Sequence, residues 1–146
     1  MRLFAPTVLI VIYVACAAKV PPRAAPAAAK TATERACAPL GTAYLRTTLY
    51  FGLTRPGGTV SEGQWQAFLR EEVTPRFPDG LTVWEADGQW RRPDGSISRE
   101  RAKILLVVHD ETPAVRAALA TVVTRYKRSF EQESVLWETA QVCAAF

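Results

Sequence analysis

The chain has 146 residues, 49 % of them hydrophobic, which suits a single domain with an ordinary core. Its formal net charge of +4 is confined to the N-terminal part. From Cys37 to Phe146 there are 13 Lys/Arg and 13 Asp/Glu, and the excess comes from Arg2, Lys19, Arg23, Lys30 and Arg35, less Glu34. A neutral domain lacks the clustered basic face that nucleic-acid binding needs, so nucleic acid is excluded as a partner.

Residues 1–18 read as an export signal. Arg2 supplies a short positive start, Val8 to Ala15 a compact apolar run, and small residues follow. The run is short for a membrane span, which needs about 20 apolar residues; a retained short anchor is the alternative. Tyr13-Val14-Ala15-Cys16 resembles a bacterial lipobox, in which a cysteine after a small residue is lipidated, although the usual leucine is replaced by Tyr13. We expect lipidation at Cys16, with plain cleavage after Ala17 or Ala18 as the competing outcome. Residues 19–36 are rich in Ala, Pro and Lys, and Pro21, Pro22 and Pro26 oppose a continuous helix. This segment reads as a linker, and residues 37–146 as one globular domain.

Within that domain, Tyr44 to Gly52 alternates as a strand, with Leu45, Thr47, Leu49 and Phe51 on one face. Arg55-Pro56-Gly57-Gly58 breaks the chain. Ser61-Glu62-Gly63-Gln64 fits a capping box, and Trp65, Phe68, Leu69 and Val73 continue it as an amphipathic helix that Pro75 should end at Thr74. Pro78-Asp79-Gly80 then turns into a long β-hairpin. Its arms are Leu81 to Arg92 and Ser96 to Val108, joined at Pro93-Asp94-Gly95. Asp87-Gly88 marks a candidate bulge, and Ile104 to Val108 is apolar on both faces. Thr112 as N-cap, Pro113 at the first position and an apolar stripe from Val115 to Phe130 predict a second helix. Ser134 to Val142 is the last strand.

The order strand, helix, strand, strand, helix, strand predicts an α+β fold of the ferredoxin-like split βαβ kind (βαββαβ). It implies a four-stranded antiparallel sheet with two helices on one face. In that topology Cys37 precedes the first strand and Cys143 follows the neighbouring last one, so export and geometry together predict a Cys37–Cys143 disulfide. Two unrelated thiols are the alternative. Two cysteines and one histidine without ligand spacing predict no metal site, and no cofactor motif is present.

The polar part of the hairpin concentrates what chemistry the sequence shows. If Arg92 faces Ser96, then Gln89 faces Arg99, Asp87 faces Arg101 and Glu85 faces Lys103. These residues read either as a charge ladder that fixes register or as a ligand site made of Gln89, Arg91, Arg99, Glu100, Arg101 and Lys103. His109, the only histidine, reads as a surface residue at a strand end; with Ser134 it would make only half a hydrolase constellation, and no nucleophile elbow exists. In the same register Leu81, Val83, Leu105 and Val107 share the face of the Glu85–Lys103 pair, and Trp84, Ile104, Leu106 and Val108 are left to meet the helices. The outer face would then expose four aliphatic side chains, so we expect a second copy of the domain to cover it.

Five stretches also carry a resemblance. They are Thr48-Leu49-Tyr50-Phe51-Gly52-Leu53, Trp65-Gln66-Ala67-Phe68, Pro75-Arg76-Phe77-Pro78-Asp79-Gly80-Leu81-Thr82, Gly88-Gln89-Trp90-Arg91 and Gln132-Glu133-Ser134-Val135. In this order they resemble a bacterial family catalogued as domain of unknown function 3574, over about Leu45 to Phe146. The resemblance implies exported or lipoprotein-like proteins and brings no activity or catalytic residues. Two functions are therefore carried forward: a non-enzymatic envelope protein that binds a ligand or partner, tethered to the membrane by lipid, and a small enzyme or sensor built as a dimeric α/β barrel.

Overall fold

The computed structural model describes residues 32–91 and 94–146. The stretch read as an export signal with Cys16, the part of the expected linker up to residue 31, and Arg92 and Pro93 lie outside them. The fold is mixed α+β, with a four-stranded antiparallel sheet and three helices. Helix α1 (Ala32–Cys37) opens it, so the end of the segment read as linker is helical. Strand β1 (Thr42–Gly52) follows, then a small ribbon of β2 (Thr54–Arg55) and β3 (Gly58–Thr59), and helix α2 (Glu62–Phe68). The hairpin arms are β4 (Thr82–Arg91) and β5 (Ile97–His109); α3 (Pro113–Phe130) and β6 (Leu136–Ala144) complete the chain. The sheet runs β4-β5-β1-β6, and each neighbouring pair is antiparallel.

Local chemistry sets the helix ends. The capping box forms at Ser61, whose hydroxyl accepts from Gln64 N while the Gln64 side chain accepts from Ser61 N. Thr112 caps α3 by accepting from Val115 N at 3.2 Å, and Pro113 enters at the first turn, where no N–H is required. Pro75 does not stop α2 at Thr74. The chain continues through a π turn, Leu69–Val73, and a 3-10 turn, Thr74–Arg76. In that short turn the proline occupies an early position whose missing N–H costs nothing.

The hairpin register is the one expected: Glu85 faces Lys103, Asp87 faces Arg101 and Gln89 faces Arg99. Pairing passes unbroken through Gly88 and Glu100, so Asp87-Gly88 is not a bulge. Asp94 and Gly95 close the turn; the Asp94 carboxylate accepts from Ser96 N and Oγ, and Gly95 takes φ 86°.

The two faces of the hairpin are the reverse of the expectation. Leu105 and Val107 are buried with Leu49 and Phe51, and this face carries both long helices through Trp65, Phe68, Leu119, Val122, Tyr126 and Phe130. Trp84, Ile104, Leu106 and Val108 lie on the opposite face, where Trp84 is exposed, Leu106 and Val108 are half-buried and Ile104 is buried. The reason is visible at Lys103, which shares the helix face and is only 6 % exposed. Its ammonium lies 2.6 Å from Glu62 in the first turn of α2 and 2.7 Å from Glu85. A charged pair at a sheet position therefore did not signal a solvent-facing side.

The Cys37–Cys143 disulfide is formed, with Cα atoms 5.2 Å apart. It ties α1 to the end of β6. At the same corner Gly41 has φ 145°, and a Cβ there would sit 2.2 Å from the Ala144 carbonyl oxygen. Only glycine lets the chain cross that close to β6.

Candidate functional site

At the far end of the helix face, α3 starts over β5 and β1 and leaves part of β6 uncovered. The register puts Leu45 of β1 opposite His109 on one side and Gln141 on the other, and Thr47 opposite Thr139. Because side chains alternate along a strand, Leu45, Thr47, His109, Trp137, Thr139 and Gln141 all point to this face. With Glu111, Thr112, Arg116 and Leu119 from the start of α3 they enclose a cleft of about 340 Å³, at the small end of the range for ligand pockets.

The floor of the cleft is a continuous hydrogen-bond chain. Trp137 Nε1 donates to Thr139 Oγ1 at 3.0 Å. Thr139 Oγ1 lies 3.0 Å from Thr47 Oγ1, which lies 2.9 Å from His109 Nε2. His109 Nδ1 is 2.8 Å from the Asp110 carbonyl oxygen. Leu45 and the Trp137 ring give the walls apolar surface, with Leu119 buried behind them. At the rim Arg116 reaches Glu111 at 3.5 Å, and Gln141 accepts from Thr33 of α1 at 3.2 Å.

This site was not the one the sequence pointed to. His109 is half-buried and hydrogen-bonded at both ring nitrogens, not a free surface side chain. Ser134 is exposed ahead of β6 and does not line the cleft. Thr47, Thr139 and Trp137 carry no local motif; only the β1–β6 register brings them together.

The hairpin residues divide. Gln89, Arg99, Glu100 and Arg101 line a shallow depression with Asp87 and Gly88. Arg99 and Arg101 project on the helix side of the hairpin and Glu100 on the other. Arg99 Nε reaches Gln89 Oε1 at 3.5 Å, and Arg101 pairs diagonally with Glu85. Arg91 is exposed near the tip opposite Ile97. Lys103 lies outside the depression. Burial pulls its ammonium down, but the hydrogen bonds of Glu62 and Glu85 outweigh this and hold it above its ordinary pKa. Those same bonds hold the Glu62 and Glu85 carboxyls below the usual carboxylate range. The network satisfies itself and anchors α2 to the hairpin.

A family model described as protein of unknown function, DUF3574, matches residues 46–146. No curated protein matches the chain. Among solved structures, a phage SAM lyase in complex with S-methyl-5'-thioadenosine is similar with a TM-score of 0.51 and 11 % identity, over 69 % of this chain and 90 % of that one. A phage SAM lyase in the apo state gives a TM-score of 0.52 and 12 % identity, over 73 % and 94 %. At these identities the likeness is one of fold.

Proposed function

The chain belongs to the DUF3574 family, and from that premise we propose that it is a small-ligand-binding domain, exported and tethered to the bacterial envelope, whose ligand lies in the cleft at His109. The carrying observation is the continuous hydrogen-bond chain on the floor of a half-apolar cleft. A few placed polar groups fix orientation in ligand sites, here the exposed Thr139 with Thr47 buried behind it, while apolar walls supply most of the contact. The cleft suits a molecule with a flat or apolar body against Trp137 and Leu45 and one polar group at Thr139.

Binding is favoured over catalysis by the same geometry. A hydroxyl beside a histidine is the arrangement of an activated nucleophile, but Thr47 is 1 % exposed and cannot reach a substrate. Both His109 nitrogens are paired within the fold, to Thr47 and to the Asp110 carbonyl, so neither meets a substrate directly. The names of the fold neighbours make S-methyl-5'-thioadenosine a sensible member of a probe set and carry no activity over. The test is a fragment library, including that compound, followed by amide and indole NMR shifts. Hits should move Thr47, His109, Thr139 and the Trp137 indole, and Trp137→Ala should weaken them about tenfold or more. Hits that instead move Arg99 and Arg101, and that survive Trp137→Ala, would transfer the function to the hairpin depression.

The strand order and the two long helices on one face support reading the fold as the ferredoxin-like split βαβ. The signal-like start and Cys16 support a lipid anchor in the periplasmic or cell-envelope membrane; a mature N-terminus at Ala18 or Lys19 without lipid would replace it by plain secretion.

The open sheet face supports a homodimer, relocated from the face first assigned. Trp84, Trp90 and Leu136 project there and are 42 %, 47 % and 61 % exposed, and Ile104 lies between Trp84 and Tyr50 across the strands. Leu105 is in the core and cannot report on this surface. Trp84→Lys with Leu136→Lys should turn a sedimenting dimer into a folded monomer. A wild-type chain that is monomeric at tens of micromolar would remove the dimer.

A further inference from the structure

The hydrogen-bond chain at the cleft floor has a direction, and the direction depends on one proton. The Asp110 carbonyl can only accept, so His109 Nδ1 carries a hydrogen. In the neutral ring Nε2 is then an acceptor, and Thr47 must donate to it. Thr139 in turn donates to Thr47 and accepts from Trp137, whose indole can only donate. With these protons assigned, Thr139 offers the cleft a lone pair and no hydrogen.

Protonation of His109 reverses the sequence. Nε2 then donates to Thr47, and Thr47 must turn its hydrogen toward Thr139. Thr139 now accepts from both Trp137 and Thr47, and its own hydroxyl hydrogen is released into the cleft. The cleft thereby gains a donor at Thr139 and a positive charge behind it in the same step.

We propose that the cleft at His109 binds small monocarboxylic acids with an apolar or aromatic body, and that each carboxylate enters together with one proton held on His109. This rests on the reading of the cleft as the binding site. The carboxylate accepts from the Thr139 hydroxyl, the imidazolium offsets its charge, and the body lies against Trp137 and Leu45. A carboxylate meeting the neutral chain would face the Thr139 lone pair and be repelled. β1 and β6 bring no charged side chain to the His109 side of the cleft, only Leu45, Thr47, Trp137, Thr139 and Gln141. The entry to α3 brings Asp110, Glu111 and Arg116, with Arg116 engaged by Glu111. α1, tied to Gln141 through Thr33, carries Glu34 and Arg35 at the same end.

The chain contains a single histidine, so its ring nitrogens can be followed by NMR without ambiguity. The full chain is titrated with benzoate, and with benzamide as the uncharged isostere, at about pH 5.5 and about pH 8. The neutral ring should be the Nδ1–H tautomer. Benzoate should shift Thr139 and the Trp137 indole at the lower pH and bind roughly tenfold or more weakly at the higher one, where calorimetry in two buffers should show uptake of about one proton per benzoate. Benzamide should show no such dependence. His109→Gln and Thr47→Val should each remove the pH dependence of benzoate binding. An Nε2–H tautomer, benzoate binding at the higher pH without proton uptake, or no benzoate binding at the cleft at either pH each overturns the proposal. If benzamide still shifts Thr139 and Trp137, the cleft stands as a binding site and only the proton coupling falls.

Discussion

Loss of the Cys37–Cys143 bridge is expected to lower the unfolding free energy by about 4 to 5 kcal/mol, the chain-entropy value for a loop of roughly 100 residues. The two cysteines are 106 residues apart, so the bridge restricts nearly the whole unfolded domain. For a domain of this size that corresponds to a fall of roughly 15 to 30 °C in Tm. The native state loses something specific as well. Helix α1 has six residues, far too few to be stable in isolation, and besides the bridge it is tied to β6 by the Thr33–Gln141 hydrogen bond. Gln141 lines the cleft, so freeing α1 should also disturb ligand binding there. The measurement is thermal and urea unfolding of the disulfide-bonded chain with and without reductant, beside the Cys37→Ser/Cys143→Ser variant. Midpoints that agree within a few degrees across all three would show that the bridge adds little and that packing alone holds the corner at Gly41.

Much of the fold follows from short-range chemistry. The start of α3 was legible because Thr112, Pro113 and the stripe from Val115 to Phe130 agree, and the cap forms as read. The hairpin register was legible because the turn at Asp94 and Gly95 fixes which residues face each other. The disulfide followed from topology once the strands were in order. The facing of the hairpin was not legible. Ile104 to Val108 is apolar without alternation, so nothing in that run says which side meets the helices. The information lay elsewhere, in the alternation of β1, whose Leu49 sits opposite Leu105 and whose Phe51 sits opposite Lys103. Lys103 misled because its two carboxylate partners, one of them on α2, are invisible without the tertiary contact. The cleft was hidden for a similar reason. Thr47 meets Thr139 across 92 residues of sequence, and neither residue is unusual where it stands. Only the hairpin residues were close enough in sequence to suggest a site, and there the structure places a shallow, charge-paired depression.

Replacing Tyr126 by Ala should be the most damaging single side-chain change in the domain, costing about 3 to 5 kcal/mol, as large aromatic truncations in packed cores do. Tyr126 is fully buried at the centre of the aromatic cluster, with ring centroids 4.6 Å from Phe51, 4.8 Å from Phe130 and 5.2 Å from Phe68. Its hydroxyl donates to the Gly52 carbonyl at 2.8 Å, which joins α3 to the end of β1. Burial pushes the phenol pKa well up, so the group stays neutral and keeps donating throughout the working pH range. Tyr126→Phe separates the two contributions. It keeps the ring contacts and removes the hydroxyl, leaving the Gly52 carbonyl without that partner, and should cost only about 1 to 2 kcal/mol. The same residue governs the cleft at a distance. The start of α3 carries Thr112, Arg116 and Leu119 to the cleft, and the helix is held at its other end by Tyr126 and Phe130. Tyr126→Ala should therefore weaken fragment binding at Thr139 even where the domain remains folded, while Tyr126→Phe should leave it intact. Urea unfolding gives the first comparison and NMR titration the second. If Tyr126→Ala costs no more than Tyr126→Phe, the aromatic cluster is not what fixes α3 on the sheet. If Tyr126→Ala binds fragments as the wild type does, the cleft is set by β1, β5 and β6 alone.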